Sequence, residues 1–287
     1  MSAARQGGVS RRGFLKVGVA GAAALGLTGL GPMAAMAADK KRIPISLQLY
    51  SVRDDCGKDL PKVLEAVAKM GYEGVEFAGY YERKADELRK LLDSNGLKCS
   101  GTHTGLGEIE GDRLKATVEF HKKIGAKFIT VPGGVGGETK QGWLDAAKKF
   151  NEAADRLKEF DMYTGYHNHS HEFKKVDGTT FWDILFSNTS ERVCQQIDTG
   201  NMMGGGGDPV FYLKKYPGRS LTVHLKEHGG DGDFGAGKCP WKEIFEICET
   251  TGGTLWYVVE QETYKYPPLK CVEQCMDFMR KMGKAKA

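Results

Sequence analysis

The chain has 287 residues, 40% of them hydrophobic and 27% charged, with a formal net charge of +4 at pH 7. Four basic residues and no acidic residue lie in residues 1–37, so the rest of the chain is close to neutral. A neutral protein has no general attraction for a polyanion, which excludes nucleic-acid binding driven by bulk charge.

Residues 1–37 have the pattern of an export signal. Arg11 and Arg12 form a twin-arginine pair, residues 17–30 are weakly apolar, and Ala35 and Ala37 are small residues suited to a cleavage site. This order predicts secretion by the twin-arginine route to the periplasm or another extracytoplasmic space. The alternative is a retained anchor, but a bilayer span takes about 20 apolar residues. We therefore expect no stable membrane span after processing.

Residues 38–287 contain all seven cysteines and are expected to form one large domain. The cysteines are scattered and include no C-x-x-C pair, so the sequence does not predict a zinc knuckle. A protein that takes the twin-arginine route folds before export, in a reducing compartment. We therefore expect mostly free, buried thiols, including Cys271 and Cys275, which lie four residues apart in a predicted helix.

Eight short β-rich runs alternate with amphipathic helical patterns along this domain. The predicted strands are residues 45–50, 74–77, 98–103, 128–131, 162–167, 193–197, 221–225 and 256–260; the predicted helices are residues 60–70, 114–124, 143–160, 241–249 and 269–282. Such alternation predicts an α/β fold with a parallel sheet, and eight units favour a single closed (β/α)8 TIM barrel. The alternative, a doubly wound sheet, would require a glycine-rich turn after the first strand, where residues 48–53 contain no glycine.

Polar residues gather where the predicted strands end, which in a TIM barrel is the face that carries the active site. Strands one to three end near Gln48, Tyr50, Arg53, Glu76 and His103, and strands five to eight end near His167, His169, Glu172, Asp198, Asn201, His224, Lys226, Glu260 and Glu262. The glycine run at residues 204–207 follows strand six and is interpreted as a mobile or close-packing loop on this face.

The last four strands each end in a side chain that can bind a metal: His167, Asp198, His224 and Glu260. Singly, each is more often a hydrogen-bonded loop residue or turn residue. Four equivalent positions on adjacent strands, however, would aim these groups at one point above the barrel axis. Mixed imidazole and carboxylate ligands suit Mn, Co, Zn, Fe or Ni, and suit Mg less well. The sequence therefore predicts one divalent metal ion.

These strand ends resemble the sugar phosphate isomerase/epimerase family of xylose isomerase-like barrels. The matching motifs are Tyr166-His167-Asn168-His169 with Glu172-Phe173, Asp198-Thr199-Gly200-Asn201, Val223-His224-Leu225-Lys226 and Val259-Glu260-Gln261-Glu262. The resemblance extends from about residue 43 to the end of the chain. It implies a metal held by strands five to eight, with Asp198, His224 and Glu260 matching three of four family ligands. Where the family has a glutamate, either His167 replaces it or Glu172 reaches back.

The resemblance also implies a reaction: proton abstraction next to a sugar carbonyl through a metal-stabilised enediolate, giving an isomer or epimer. Glu260 is the first candidate base. Further candidate catalytic residues are Glu172, His169 and Lys226, and candidate substrate-binding residues are Gln48, His103, Asn201 and Glu262. The expected partner is a small carbohydrate, and a homo-oligomer is left open.

Three alternatives were weighed against this function. Export would also fit a lyase that cleaves a 3-keto-glycoside by β-elimination. A non-catalytic periplasmic sugar-binding barrel is disfavoured by the intact set of Asp198, His224 and Glu260. A DNA-repair nuclease is rejected, because that branch needs many more metal ligands and the neutral charge would not hold DNA.

Overall fold

The computed structural model describes residues 42–286, and the predicted export signal lies outside the described residues. Eight parallel strands form one sheet in the order six, five, four, three, two, one, eight, seven. Strands one to eight are Ile45–Gln48, Gly74–Ala78, Lys98–His103, Phe128–Val131, Tyr163–His167, Val193–Gln196, Thr222–Leu225 and Trp256–Val259. Each predicted strand is present, within two residues of its expected ends.

Strands six and seven, at the two ends of this order, also meet. An isolated parallel bridge joins Asp198 to His224, and the His224 backbone N–H donates to the Ile197 carbonyl at 2.8 Å. The sheet therefore closes into a barrel, and the predicted (β/α)8 architecture is confirmed. Because the closing bridge joins two predicted metal ligands, closure itself brings these two strand ends together.

Nine helices surround the barrel in the described part of the chain. They are α1 Arg53–Lys69, α2 Ala85–Ser94, α3 Arg113–Ile124, α4 Lys140–Lys158, α5 Phe181–Ser187, α6 Thr199–Gly204, α7 Pro209–Lys215, α8 Trp241–Thr250 and α9 Pro268–Lys281. The sequence analysis missed α2, α5, α6 and α7. These helices are short, at six to ten residues. In α5 five of seven residues are buried, so it shows no amphipathic period to detect.

The glycine run after strand six packs closely against the loop after strand five. A Cβ on Gly205 would lie 2.2 Å from the Ser170 carbonyl oxygen, and a Cβ on Gly207 would lie 2.7 Å from the Phe173 ring. Only glycine leaves room for such approaches. Of the two interpretations of this run, close packing is the one that the contacts support.

Strand five is anchored from outside by aromatic packing. Tyr166 on this strand contacts Trp143 of α4 with ring centroids 5.5 Å apart, and Trp143 stacks on Phe181 of α5 at the same distance. All three side chains are buried, and large aromatic rings contribute much of the burial energy of a core. This packing fixes the end of strand five, where His167 points into the barrel mouth.

The burial of the cysteines agrees with expectation. All seven cysteines lie in the described residues and are free and buried. Burial raises the pKa of Cys56 and Cys248 to about 12, so these thiols stay protonated and unreactive at neutral pH.

Within residues 42–286, no helix combines the length and the apolar character that a membrane crossing requires.

One ion-pair cluster joins both ends of the described chain to the barrel. The Arg42 guanidinium donates two hydrogen bonds to Glu73, at 2.7 and 2.6 Å, and Lys286 Nζ lies 2.9 Å from the same carboxylate. Burial alone would raise the Glu73 pKa, but these hydrogen bonds outweigh it and lower the pKa to about 2. A carboxylate with a lowered folded-state pKa stabilises the fold above its ordinary value of 4.5 and loses that effect as the pH falls toward 2.

We expect Glu73→Gln to lower the free energy of unfolding by about 1 kcal/mol at pH 7, since partial exposure screens the pair. The deficit should be the same at pH 5 and should shrink toward pH 3. Urea unfolding at the three pH values measures it. A deficit that grows on acidification would contradict the assigned charge.

Candidate metal centre and active site

Four side chains from neighbouring strands meet at the carboxyl end of the barrel. His167, Asp198, His224 and Glu260 each offer one ligand atom, and these four atoms all lie within 4.8 Å of one another. All four residues are buried. His103 from strand three lies beside them and forms an overlapping group with His167 and His224. The four predicted metal ligands are thus brought together by the fold.

Two buried atoms of this cluster, His167 Nδ1 and Asp198 Oδ2, have no hydrogen-bond partner among residues 42–286. A buried polar atom without a partner costs roughly 1–3 kcal/mol, so such atoms in a native fold call for an explanation. Both atoms can donate a lone pair to a cation, and both belong to the cluster of possible ligands. The residues present therefore fit a divalent metal ion with mixed nitrogen and oxygen ligands.

The pKa shifts of Asp198 and His167 also fit a cation-binding site. Burial raises the pKa of Asp198 to about 7, even though Lys226 and His224 act in the opposite direction. Burial, together with the neighbouring His224 and His103, also holds the pKa of His167 well below its ordinary value. In the protein alone, Asp198 is therefore about half protonated at pH 7, and His167 is neutral. A bound cation would favour the ionised Asp198 and would use the neutral imidazole of His167 as a ligand.

His224 lies between two carboxylates. Its Nδ1 is 2.5 Å from Glu260 Oε2 and its Nε2 is 2.6 Å from Glu76 Oε1. Burial opposes the charged imidazole, but the two carboxylates outweigh it and raise the His224 pKa to about 10. Burial likewise opposes ionisation of Glu260, whereas His224 and Lys226 favour it and lower its pKa to about 2. Glu260 is thus ionised at neutral pH.

Asp198 is positioned by the helix that follows it. Its Oδ1 accepts a hydrogen bond of 2.7 Å from the backbone N–H of Asn201 and so caps α6, which leaves Oδ2 directed to the cluster. On the opposite side, its backbone N–H donates to Asn168 Oδ1 at 2.9 Å. Lys226 Nζ lies 3.9 Å from Asp198 Oδ2 and pairs with Glu262.

A pocket of about 440 Å³ opens above the cluster, a size suited to a small ligand. Its lining includes the candidate ligands His167 and Glu260 and the predicted substrate or proton-transfer residues His103, His169 and Glu262. Tyr50, which is 42% exposed, forms part of the rim. The pocket therefore combines metal ligands, titratable groups and one aromatic face.

Besides Lys226, three of the candidate catalytic and substrate-binding residues do not line this pocket. Gln48 is fully buried, and its amide donates to Glu76 Oε1 and accepts from the Tyr50 N–H. The Asn201 amide donates to the Asn168 carbonyl at 3.3 Å. Because these side chains already have partners within the protein, their contact with a substrate stays a prediction.

Glu172 is the third residue outside the lining, and it does not join the cluster. Its Oε1 accepts from the Tyr166 hydroxyl at 2.7 Å, and its Oε2 accepts from the His169 backbone N–H at 2.9 Å. Of the two alternatives for the ligand of strand five, the geometry brings His167, not Glu172, to the cluster. Both oxygens of Glu172 are used to shape the loop after strand five, which leaves it poorly placed as a base.

Sequence analysis noted Glu76 at the end of strand two but gave it no role. In the structure it is fully buried beneath the pocket and contacts two histidines of the site, His224 and His103. The sequence signal that could have identified this residue is an acidic side chain within an otherwise apolar strand. Acidic side chains are almost never fully buried without partners.

Comparison with known proteins gives a rhizopine catabolism protein and several inosose dehydratases among the relatives of this chain. Rhizopine catabolism protein MocC of Rhizobium meliloti is 27% identical over 256 residues, which cover 72% of this chain and 77% of that protein. Inosose dehydratase of Clostridium tetani is 30% identical over 243 residues, which cover 69% of this chain and 80% of that protein.

Solved structures and a family model also match this chain. A sugar phosphate isomerase/epimerase from Parabacteroides distasonis has a TM-score of 0.74 at 26% identity, covering 85% of this chain and all of that one. A structure of L-ribulose 3-epimerase, at 13% identity and a TM-score of 0.63, shares the fold. The family model for the xylose isomerase-like TIM barrel matches residues 64–282, which is more than half of the sequence. The chain therefore belongs to the xylose isomerase-like TIM barrel family.

Proposed function

We propose that this protein is a divalent-metal-dependent enzyme that removes the proton next to the carbonyl of a sugar or related polyol and so isomerises or epimerises it. The observation that carries this proposal is the buried cluster of His167, Asp198, His224 and Glu260 at the floor of an open pocket. Two ligand atoms of this cluster lack any partner within the described protein.

The four cluster residues would hold the cation. When bound, the ion supplies Lewis acidity, which polarises a carbonyl and makes the neighbouring C–H more acidic. The two imidazoles favour a transition metal such as Mn, Co, Zn, Fe or Ni over Mg. This preference is part of the proposal, and the metal is to be identified by elemental analysis.

The side chains of this protein supply the proton transfer and the positioning. Glu260 is ionised, lines the pocket and is the proposed base that takes the proton. Lys226, charged at neutral pH beside Asp198 and Glu262, would stabilise negative charge that develops on substrate oxygen. His169, which also lines the pocket, is placed to return a proton or to hold a hydroxyl.

Elimination is a second candidate outcome, and two observations favour it. The cluster has one glutamate, Glu260, where a symmetric two-base epimerisation would use a second carboxylate on strand five, and here strand five supplies His167. The curated relatives include inosose dehydratases, whose name describes loss of water from a keto-polyol. The same first step, followed by departure of a hydroxyl or alkoxyl group, would make the enzyme a lyase for a keto-polyol or a 3-keto-glycoside.

The proposed place of action is outside the cytoplasm. The twin-arginine pattern at Arg11 and Arg12 supports export of the folded protein. Phosphorylated sugars belong mainly to the cytoplasm, so the proposed substrate class is an uncharged carbohydrate. Cell fractionation followed by N-terminal sequencing of the mature protein tests the location; recovery of the uncleaved chain in the cytoplasm would contradict it.

The reaction is tested with apoprotein reloaded with Mn²⁺, Co²⁺ or Zn²⁺ in D2O, with D-fructose, an inosose and a 3-keto-glucoside as probes. Proton abstraction should exchange the C–H beside the carbonyl for deuterium, which NMR detects before net turnover. An epimer or isomer that differs from the substrate in mass only by the incorporated deuterium supports the first candidate, and a product that has lost water or the aglycone supports the second. Absence of exchange with all three probes and metals would refute the proposed chemistry.

Metal removal has an expected effect of its own. Because a ligand that binds only the folded state stabilises it, treatment with a chelator should lower the melting temperature, and one equivalent of Zn²⁺ or Mn²⁺ should restore it. Elemental analysis measures the number of metal ions bound per protein chain, and differential scanning calorimetry measures the shift in melting temperature. A melting temperature that does not respond to any of these ions would favour a metal-free sugar-binding protein.

A further inference from the structure

A buried carboxylate beside the ligand cluster, Glu76, is not used by the proposed chemistry. Glu76 Oε1 lies 2.6 Å from His224 Nε2, 2.8 Å from Gln48 Nε2 and 3.1 Å from His103 Nε2. Its other oxygen, Oε2, accepts from Gln196 Nε2 at 2.8 Å. Four strands thus send a nitrogen to this one side chain.

The side chain has no freedom to move away from these partners. It is fully buried, and a Cβ on Gly101 of strand three would lie 2.8 Å from Glu76 Oε2. The two glutamines hold it from either side, since the Gln48 and Gln196 amides both donate to it. Glu76 is therefore locked in one orientation by its surroundings.

Glu76 Oε1 already accepts a hydrogen bond from the Gln48 amide, and His224 Nε2 lies within hydrogen-bond distance of the same oxygen. This contact engages Nε2 with a carboxylate that lies outside the ligand cluster. The other ring nitrogen, Nδ1, faces Glu260, which belongs to the cluster, so a bound cation would take the place of the proton on Nδ1. A histidine that donates one ring nitrogen to a carboxylate has the other fixed as a metal ligand, in both its tautomer and its ring orientation.

We propose that Glu76 is a positioning residue that holds His224 with Nδ1 directed to the cation and Nε2–H directed into the barrel. The proposal rests on the proposed function only in that a cation binds the cluster. It goes beyond that function by assigning a role to strand two, which supplies no ligand. His103, held by Glu76 Oε1 and by Gln196 Oε1 at 2.8 Å, would be fixed in the same way at the pocket wall.

The first experiment compares Glu76→Gln with a matched control, Glu227→Gln. Glu227 is also a buried carboxylate beyond strand seven with four hydrogen bonds, but its partners are the His228, Gly235 and Cys239 backbone N–H groups and the Trp241 indole. Co²⁺ and Zn²⁺ affinities are measured by calorimetry, and the Co²⁺ absorption spectrum reports ligand geometry.

We expect Glu76→Gln to weaken the affinity for both ions by 10–100-fold and to change the Co²⁺ spectrum, the size of effect that outer ligand partners usually have. Glu227→Gln should lower the melting temperature while leaving the affinity and the spectrum as in the wild type. Unchanged affinity and spectrum in Glu76→Gln would overturn the proposal. So would an equal loss of affinity in Glu227→Gln, which would indicate a general loss of structure.

A second measurement needs no variant and decides the question if Glu76→Gln fails to fold. Histidine side-chain ¹⁵N NMR of the wild-type protein loaded with Zn²⁺ should show His224 protonated at Nε2 and ligated through Nδ1. Ligation through Nε2 would overturn the role of Glu76 while leaving the metal site intact. Failure of the wild type to bind Zn²⁺ or Co²⁺ at all would instead refute the proposed function, and with it this role.

Discussion

Replacing Asp198 by asparagine should abolish tight metal binding. The substitution keeps Oδ1, which caps α6 through the Asn201 N–H at 2.7 Å, and exchanges the unpartnered Oδ2 for an amide NH₂. An NH₂ group donates protons and cannot ligate a cation. We expect an affinity loss of more than about 100-fold, larger than the usual effect of an outer-sphere partner, and loss of activity with every metal. Calorimetric titration with Zn²⁺ and Mn²⁺ measures the affinity.

The matched control is Asp208→Asn. Asp208 also caps a short helix, accepting from the Val210 and Phe211 N–H groups, but it is exposed and is not a member of the cluster. Its replacement should leave metal affinity at the wild-type value. Because Asp198→Asn removes a group that favours its neutral form when buried, the metal-free variant should be at least as stable as the metal-free wild type. Retention of wild-type affinity in Asp198→Asn would show that the cluster is not the metal site.

Replacing Glu260 by glutamine should have the largest effect on catalysis at saturating metal. Glutamine keeps the shape of the side chain and a carbonyl oxygen for the cation, but it cannot take a proton. A positioned general base contributes roughly 10²–10⁴-fold to a rate, so kcat should fall by that factor. Deuterium incorporation next to the substrate carbonyl, in whichever probe the wild type turns over, should fall in parallel.

Glu262→Gln provides the comparison. Glu262 also lines the pocket but is 34% exposed and pairs with Lys226, and it lies outside the ligand cluster. We expect this variant to raise KM more than it lowers kcat, since its assigned role is to bind substrate. If instead Glu262→Gln stops deuterium exchange and Glu260→Gln does not, the proton is removed by Glu262 and the assignment of the base is wrong.

The proposed export of the protein sets a condition on how both variants are assayed. Residues 1–37 are removed in the proposed mature protein, so the enzyme is best assayed as residues 38–287. The described residues begin at 42, and Arg42 already takes part in the ion-pair cluster with Glu73. Truncation beyond residue 41 should therefore cost stability, for the same reason as Glu73→Gln.

The amino-acid sequence alone was sufficient to predict the architecture and the four side chains that the barrel brings together. Alternation of β-rich and helical patterns is a local property, and the eight strands that it predicts are all present. In a closed parallel barrel all strands end on one face, so a polar residue at a strand end is placed in the mouth by topology alone. His167, Asp198, His224 and Glu260 could be identified for that reason.

Only the tertiary structure showed which of the remaining polar residues line the pocket and which make hydrogen bonds within the protein. Gln48, Glu172 and Asn201 carry the same chemical groups as pocket residues, yet their hydrogen bonds are made within the protein. Glu76 lies on strand two, far along the chain from His224, and no sequence spacing reveals that contact. Hydrogen-bond partners separated by more than a hundred residues are set by strand order, register and side-chain packing together. Sequence patterns therefore predict which residues face the barrel mouth, and the folded network determines which of them remain free to bind.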